Sequence, residues 1–352
     1  MTPTRIRPKS DGMIKIAAAL LSLLLMCSLA NAQDRPPLPA LLDGFAGRDD
    51  LTPLKTVIVS RSGVVVAERG YRGNRPSDST NIKSASKSIV SALVGIAIDK
   101  GLLEGPDQKI AQLLAAELPA SPDPRLQEIT IGHLLSMQAG LGRLSGPNYG
   151  RWVASRNWVR FALAQPFDDV PGGQMLYSTA STHLLSAILT KVSGRSTLAL
   201  AREWLGPVNG FRINAWDRDP QGIYLGGNQM AMSARSLLAF GEVYRNGGKT
   251  ADGKQVVSAQ WVAQSWQPRT NSRFSGDIYS YGWFQREIAG ETVHFAWGYG
   301  GQMLYIVPAL ELTVVMTSQE SGPSARTGYR DALHLLLGDI IDTVKAAPRL
   351  GE

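Results

Sequence analysis

The sequence predicts an α+β fold: one antiparallel sheet built from both chain ends, flanked by helices, with a mostly helical region inserted between them. Two β-branched runs near the start, Thr56–Val59 and Val64–Ala67, flank the turn-forming Ser60-Arg61-Ser62-Gly63 and read as a hairpin. In the last third, Tyr281–Ile288, Thr292–Ala296, Met303–Val307 and Leu312–Thr317 alternate with Gly and Pro turns, the pattern of a meander. Between them, from Ser84 to about residue 245, apolar residues recur at helical spacing. The division is a leader over 1–32, a sheet region over 33–80 plus 255–352, and a helical region over 81–254, the last two forming one discontinuous domain.

The leader has a basic start (Arg5, Arg7, Lys9, Lys15), an apolar segment from Ile16 to Leu29, and the small-x-small run Ala30-Asn31-Ala32. It reads as a secretory signal cleaved near Ala32, which implies a periplasmic or secreted protein. Translation from Met1 or from Met13 gives such a leader, and the apolar part is short for a membrane span. The single cysteine, Cys27, falls inside it, after Met26 where lipid attachment favours a small residue. Without the leader the chain has no cysteine for a disulfide, a thiol nucleophile or a metal site. The formal charge of +7 over 352 residues is partly leader, and no basic run supports nucleic-acid binding.

The remaining elements follow in order. Residues 33–53 are an entry segment with a short helix at most. Asn81 to Ala97 is polar at first and almost wholly apolar after Ser88, so it is a buried helix with a polar N-terminus. Asp107–Leu118 reads as a short helix, and Ile131 opens another with Thr130 as its cap. A glycine-rich loop spans 139–150. Helices follow at Trp158–Ala164, Ser181–Val192, Ser196–Trp204 and Ser233–Asn246. Leu333, Leu336, Leu337, Ile340, Ile341 and Val344 give a C-terminal helix one apolar face.

Three segments carry chemistry. Ser84 and Lys87 are three residues apart at the buried helix's N-terminus, so one helical face presents hydroxyl and amine together. A lysine desolvated there loses basicity and becomes a base for the serine. Gly172-Gly173 sets a turn before Tyr177, whose phenol, beside a lysine ammonium, is expected to ionise more easily and to shuttle protons. Alone the segment favours a tyrosine that anchors the turn by its hydroxyl. Ala296-Trp297-Gly298-Tyr299-Gly300-Gly301 lets backbone N–H groups approach a substrate, and alone reads equally as a turn between strands.

In this order and spacing, these segments resemble the serine β-lactamase and penicillin-binding-protein superfamily, above all its class C-related esterase and 6-aminohexanoate-dimer-hydrolase-like members. Ser84-Ala85-Ser86-Lys87 matches the family's Ser-x-x-Lys, and Tyr177-Ser178-Thr179 stands at its tyrosine motif. Further matches are Thr130–Leu135, Gln138–Leu141, Gly226-Gly227 and Gly301–Pro308. The resemblance covers about 50–345. It implies a β-lactamase-like fold, Ser84 as acylated nucleophile, Lys87 as its base and Tyr177 as proton relay. It also implies an oxyanion hole from the N–H groups of Ser84 and Tyr299. Thr179, Trp297, Gly298 and Gly300 are the candidates for substrate contact, and no cofactor is required.

Two departures bear on substrate. Where lactamases and peptidases of the family have Lys-Thr-Gly, this chain has Trp297-Gly298-Tyr299, without a cation. Thr179 stands where some members have asparagine. Both favour small esters or amides over β-lactams or D-alanyl peptides, which are the runner-up substrates. A catalytically silent cell-wall scaffold is the rival outside enzymes. Tyr149, Trp152 and Trp297 are candidates for a pocket wall or for core packing. His133, His183, His294 and His334 are too scattered for a metal motif, and no Gly-x-Ser-x-Gly elbow is present.

Overall fold

The computed structural model describes residues 35–347. The leader, with Cys27 and the cleavage position at Ala32, lies outside the described residues.

The chain enters through α1 (Leu38–Gly44) and forms the hairpin β1 (Leu54–Arg61) and β2 (Val64–Gly70). The short β3 (Ser79–Asn81) then leads into the long α2 (Ser86–Asp99). The inserted region holds α3 (Ile110–Leu113), α4 (Ile131–Leu135), α5 (Tyr149–Val153), α6 (Trp158–Leu163), α7 (Thr179–Ser193) and α8 (Thr197–Trp204). It continues through β4 (Ala215–Trp216), β5 (Met230–Ser233), α9 (Ala234–Arg245) and α10 (Ala259–Trp266). Six strands return to the sheet: β6 (Thr270–Asn271), β7 (Ile278–Tyr279), β8 (Phe284–Ile288), β9 (Glu291–Gly298), β10 (Gln302–Val307) and β11 (Leu312–Ser318). The last element is α11 (Tyr329–Ala346).

The main sheet has eight strands in the order β2-β1-β11-β10-β9-β8-β7-β6, so both chain ends build it. Its antiparallel register sets Val57 opposite Met316, Ile58 opposite Val315 and Val59 opposite Val314. Side chains alternate between faces. Val57, Val59, Val314 and Met316 therefore join the core under α1 and α11. Ile58, Leu304, Ile306 and Val315 join the core under α2 and α9. With both faces covered, every residue of β10 and β11 is buried. That is why these antiparallel strands read as continuous apolar runs rather than alternating ones.

Helix α2 is buried from Ser86 to Ala97. Its serines are satisfied by main-chain carbonyls, Ser88 Oγ donating to Gly282 at 2.6 Å and Ser91 Oγ to Tyr281 at 2.7 Å. Burying Ile89 and Leu93 stabilises the fold by about 1.5–3 kcal/mol each. Thr130 caps α4 as the sequence indicates, its hydroxyl accepting from the His133 N–H at 3.1 Å.

The sequence misjudged the shortest pieces. The helix expected over 107–118 shrinks to α3, because the main chain before it pairs with 129–131 instead: Ile110 N–H donates to Ile129 O and Ile131 N–H to Gln108 O. Strands β6 and β7, and the small sheet β3-β5-β4, are too short to show periodicity. Helix α10, unforeseen, packs Trp261 against Gly95 of α2.

A Cβ on Gly95 would stand 2.3 Å from the Trp261 ring. Helix propensity alone makes Gly95→Ala stabilising by about 1 kcal/mol. The packing predicts the opposite sign: Gly95→Ala should lose about 1–2 kcal/mol in a urea melt, from overpacking at the buried indole. A gain in stability would contradict this packing.

Candidate active site

Ser84 lies in a short 3₁₀ turn, Lys83–Ala85, immediately ahead of α2 rather than inside its first turn. The turn is held at Lys83, whose backbone is left-handed (φ 52°). Asn81 Oδ1 accepts the Lys83 N–H at 2.9 Å, and Ser86 Oγ donates to the Lys83 carbonyl at 2.7 Å. A strained backbone held by its neighbours fixes the direction of the next residue. Here that residue is Ser84, half-exposed at the start of a buried helix.

Lys87 is 2% exposed. Its Nζ is 2.9 Å from Ser84 Oγ, 2.7 Å from the Gly227 carbonyl and 3.4 Å from Thr179 Oγ1. Burial with no carboxylate partner among the described residues pushes its pKa down to about 7. Close to neutrality the amine is therefore partly unprotonated. Two N–H groups then face Gly227 O and Thr179 Oγ1, and the lone pair is left for the Ser84 O–H.

Tyr177 arrives from the other side. Lys87 Nζ lies 5.0 Å from its ring centroid. Tyr279 and Phe284 pack against the ring at 6.1 and 6.2 Å. Desolvation raises the phenol to about 12, and its hydrogen bond with Ser84 opposes that rise. This corrects the expectation that Tyr177 ionises easily. The neighbouring amine is itself discharged by burial, so it supplies little positive charge, and the apolar rings disfavour a phenolate.

The loop over 139–150 docks on the Tyr177 segment residue by residue. Arg143 Nε donates to Tyr177 O at 3.1 Å, and Leu144 N–H to Ser178 Oγ at 3.1 Å. Ser145 Oγ accepts from Thr179 N–H at 2.8 Å and sits 3.0 Å from Thr179 Oγ1. Sequence reasoning missed Arg143 and Ser145. The only signal for Ser145 was a serine beside the Gly146-Pro147 turn, which is too common to single out. Thr179, read as a substrate contact, is buried and serves Lys87.

Gly227 must be glycine. Its φ is +80°, and a Cβ there would meet Lys87 Cγ at 2.7 Å. The turn carrying it is fixed by a fully buried pair, His183 Nε2 and Asp219 Oδ2 at 3.0 Å. His183 Nδ1 accepts from Gly226 N–H at 3.4 Å. This His–Asp pair holds backbone and does not reach Ser84.

The third segment is the turn between β9 and β10. A Cβ on Gly298 would lie 2.2 Å from Ile82 O, so the turn abuts the stretch that carries Ser84. Gly300 is instead pressed on Gln319 O, at 2.3 Å from such a Cβ. Main-chain packing thus accounts for glycine at both positions. Tyr299 is half-exposed at the tip. Trp297 Nε1 donates to Ser324 Oγ at 3.2 Å, and its ring contacts Phe284 at 5.8 Å. Trp152 is fully buried between Trp158 and His183 and belongs to the core, not to a pocket wall. Tyr149 is half-buried and accepts from Asn228 Nδ2 at 3.0 Å. The four histidines occupy separate places: the α4 cap, Asp219, the Trp266 ring and the Tyr305 hydroxyl.

Residues 52–339 match the family model described as Beta-lactamase. The chain belongs to the beta-lactamase family. Among curated relatives it is 24% identical over 322 residues to the 6-aminohexanoate-dimer hydrolase of Paenarthrobacter ureafaciens, covering 82% of this chain and 78% of that one. It is 36% identical over 144 residues to a Dichelobacter nodosus protein described as probable fimbrial assembly protein FimD, serogroup H1. That match covers 39% of this chain and 36% of the relative, so the chain spans about a third of that relative's length. The solved structure of EstCE1, described as a hydrolase with promiscuous acyltransferase activity, shares the fold. It superposes with a TM-score of 0.69 at 19% identity, over 85% of this chain and 98% of that one.

Lys87 titrates near 10.5 when solvated and about 7 here. Between these values the unfolded chain binds the extra proton, so stability rises with pH from about 7 upward, and the full cost is borne below it. Lys87→Met should therefore be more stable than wild type near about pH 6, by a few kcal/mol, with the gap closing toward about pH 10. Urea melts across pH measure it. Equal midpoints near pH 6 would contradict a desolvated lysine.

Proposed function

We propose that this family member is a serine hydrolase that forms an acyl-enzyme through Ser84 and turns over small esters or amides. The observation that carries the reading is the 2.9 Å contact between Ser84 Oγ and a buried amine with its pKa near 7. In the first step neutral Lys87 takes the Ser84 proton as Oγ attacks the acyl carbon. The oxyanion is held by the N–H groups of Ser84 and Tyr299, at the turn abutting Ile82. As the carbonyl re-forms, the bond to the leaving group breaks. Tyr177 gives that group its proton and is reprotonated from Lys87. Water then attacks the acyl-enzyme, its proton passing by way of Tyr177 and Lys87, and Ser84 leaves as a hydroxyl. Protons balance over the cycle, and Tyr177, with its pKa about 12, begins each turn as an acid.

Missing the lysine of the third motif, the site lacks the family's usual hold on a β-lactam carboxylate, and this favours simple esters or amides. The curated relative named a 6-aminohexanoate-dimer hydrolase acts on an amide by its name, and EstCE1 is described as transferring acyl groups. The signal-like sequence over 1–32 supports a periplasmic or secreted setting for this activity.

Wild type should hydrolyse p-nitrophenyl butyrate. Ser84→Ala should lower the rate by about three orders of magnitude or more, and Tyr177→Phe by about 10²–10⁴, with both variants folded by circular dichroism. Equal rates in wild type and Ser84→Ala would refute the assignment of the nucleophile.

A further inference from the structure

We propose that Glu320 is a positioning residue for the oxyanion hole: it ties the turn that offers the Tyr299 N–H to the turn that offers the Ser84 N–H. The proposal rests on the acyl-enzyme reading above and adds the device that spaces its two donors. Glu320 belongs to no motif the sequence singled out.

The two donors come from segments far apart in the chain, so no covalent element sets their spacing. Such donors stabilise an oxyanion only when they are held in place before the charge develops. The turn between β9 and β10 is locked to the segment that follows β11. Gln302 closes on Ser318 from both sides, its Nε2 donating to Ser318 O at 2.9 Å and its Oε1 accepting the Ser318 N–H at 3.1 Å. Ser318 Oγ donates to Gly301 O at 3.0 Å. The Gln319 carbonyl fills the place a Gly300 Cβ would need, and Ser324 Oγ receives the Trp297 indole N–H. Gln302, Ser318 and Ser324 are all buried, so water does not compete for these bonds. Turn and segment therefore form one unit.

Glu320 is part of that segment and reaches across to the strand that feeds the nucleophile. Its Oε1 accepts from Thr80 Oγ1 at 2.8 Å and from the Asn81 N–H at 3.0 Å. Asn81 passes the hold on. Its Nδ2 donates to Gln229 Oε1 at 2.7 Å, and its Oδ1 accepts the N–H of Lys83, the left-handed residue before Ser84, at 2.9 Å. A left-handed lysine relaxes unless its neighbours fix it. The contact of Gly298 with the Ile82 carbonyl limits how closely the two turns approach but does not hold them together. Glu320 supplies the hold. Its acceptor oxygen matters more than its charge: Lys55 Nζ stands 4.0 Å from that oxygen and the carboxylate is 38% exposed, so the ion pair adds little.

The test compares p-nitrophenyl butyrate with its thionoester, in which sulfur replaces the carbonyl oxygen. Sulfur is larger and a weaker acceptor, so a hole built for oxygen discriminates against it. Wild type should favour the ester in kcat/KM by about a hundredfold or more. Glu320→Ala should lower kcat/KM on the ester by about ten- to a hundredfold and contract the ester-to-thionoester ratio by a similar factor. A loss of folded protein would instead lower both rates together and leave the ratio standing. Glu320→Gln keeps the acceptor oxygen and should stay within about threefold of wild type in rate and ratio. Glu320→Asp, one methylene too short, should behave like Glu320→Ala and replaces it if that variant does not fold. A wild-type ratio near one, a ratio unchanged in the Ala and Asp variants, or an equal loss in Glu320→Gln would overturn the clamp, while an inactive Ser84→Ala keeps the nucleophile in place. No turnover of the ester by wild type would defeat the acyl-enzyme reading and the clamp with it.

Discussion

The constraint on which the site depends is the burial of one amine. Lys87 sits in a helix packed on every side, and the apolar residues that make α2 a core element also keep water from the ammonium. A charge in that position is expensive, and the molecule lowers the expense by letting the proton go. The same packing that stabilises the fold through Ile89 and Leu93 therefore lowers the pKa of an amine beside Ser84. Stability and chemistry draw on one helix, with stability conceding a few kcal/mol at Lys87.

Most of the surrounding architecture serves to keep that amine in place. Gly227 gives up a side chain so that its carbonyl can reach Nζ, and the buried His183–Asp219 pair fixes the turn bearing it. Thr179 closes the third direction and is held by Ser145. The turn at Lys83 aims the hydroxyl at the amine. Tyr177, enclosed by aromatic rings, holds its proton. Two groups with pKa values pushed apart, at about 7 and about 12, are what the proposed division of base and acid work requires.

Much of this was legible in the sequence. The central strands and the C-terminal helix are long and strongly patterned, and α2 shows its burial as an apolar run behind a polar start. Ser84, Lys87 and Tyr177 could be singled out because their residue types carry chemistry at a recognisable spacing, and the fold brings the three together. What was not legible depends on contacts between distant segments. That the Thr179 hydroxyl lies against Lys87 could not be read from its place in the tyrosine motif. Trp152 could not be told from a pocket wall without its partners Trp158 and His183. The tyrosine's pKa was judged from a neighbouring charge that burial had already removed. Strands β6 and β7 are two residues each, below any periodicity.

The central claim is that Ser84 is activated by a lysine that loses its proton near neutrality. The most direct measurement is the rate at which a phosphonate probe labels Ser84, followed by mass spectrometry across pH. The account predicts a rate that rises with pH along a single limb with a midpoint near about 7, the range set by Lys87. Lys87→Arg, which cannot deprotonate there, should abolish that limb and the labelling with it. Labelling that persists in Lys87→Arg, or is flat from about pH 5 to 9 in wild type, would contradict it.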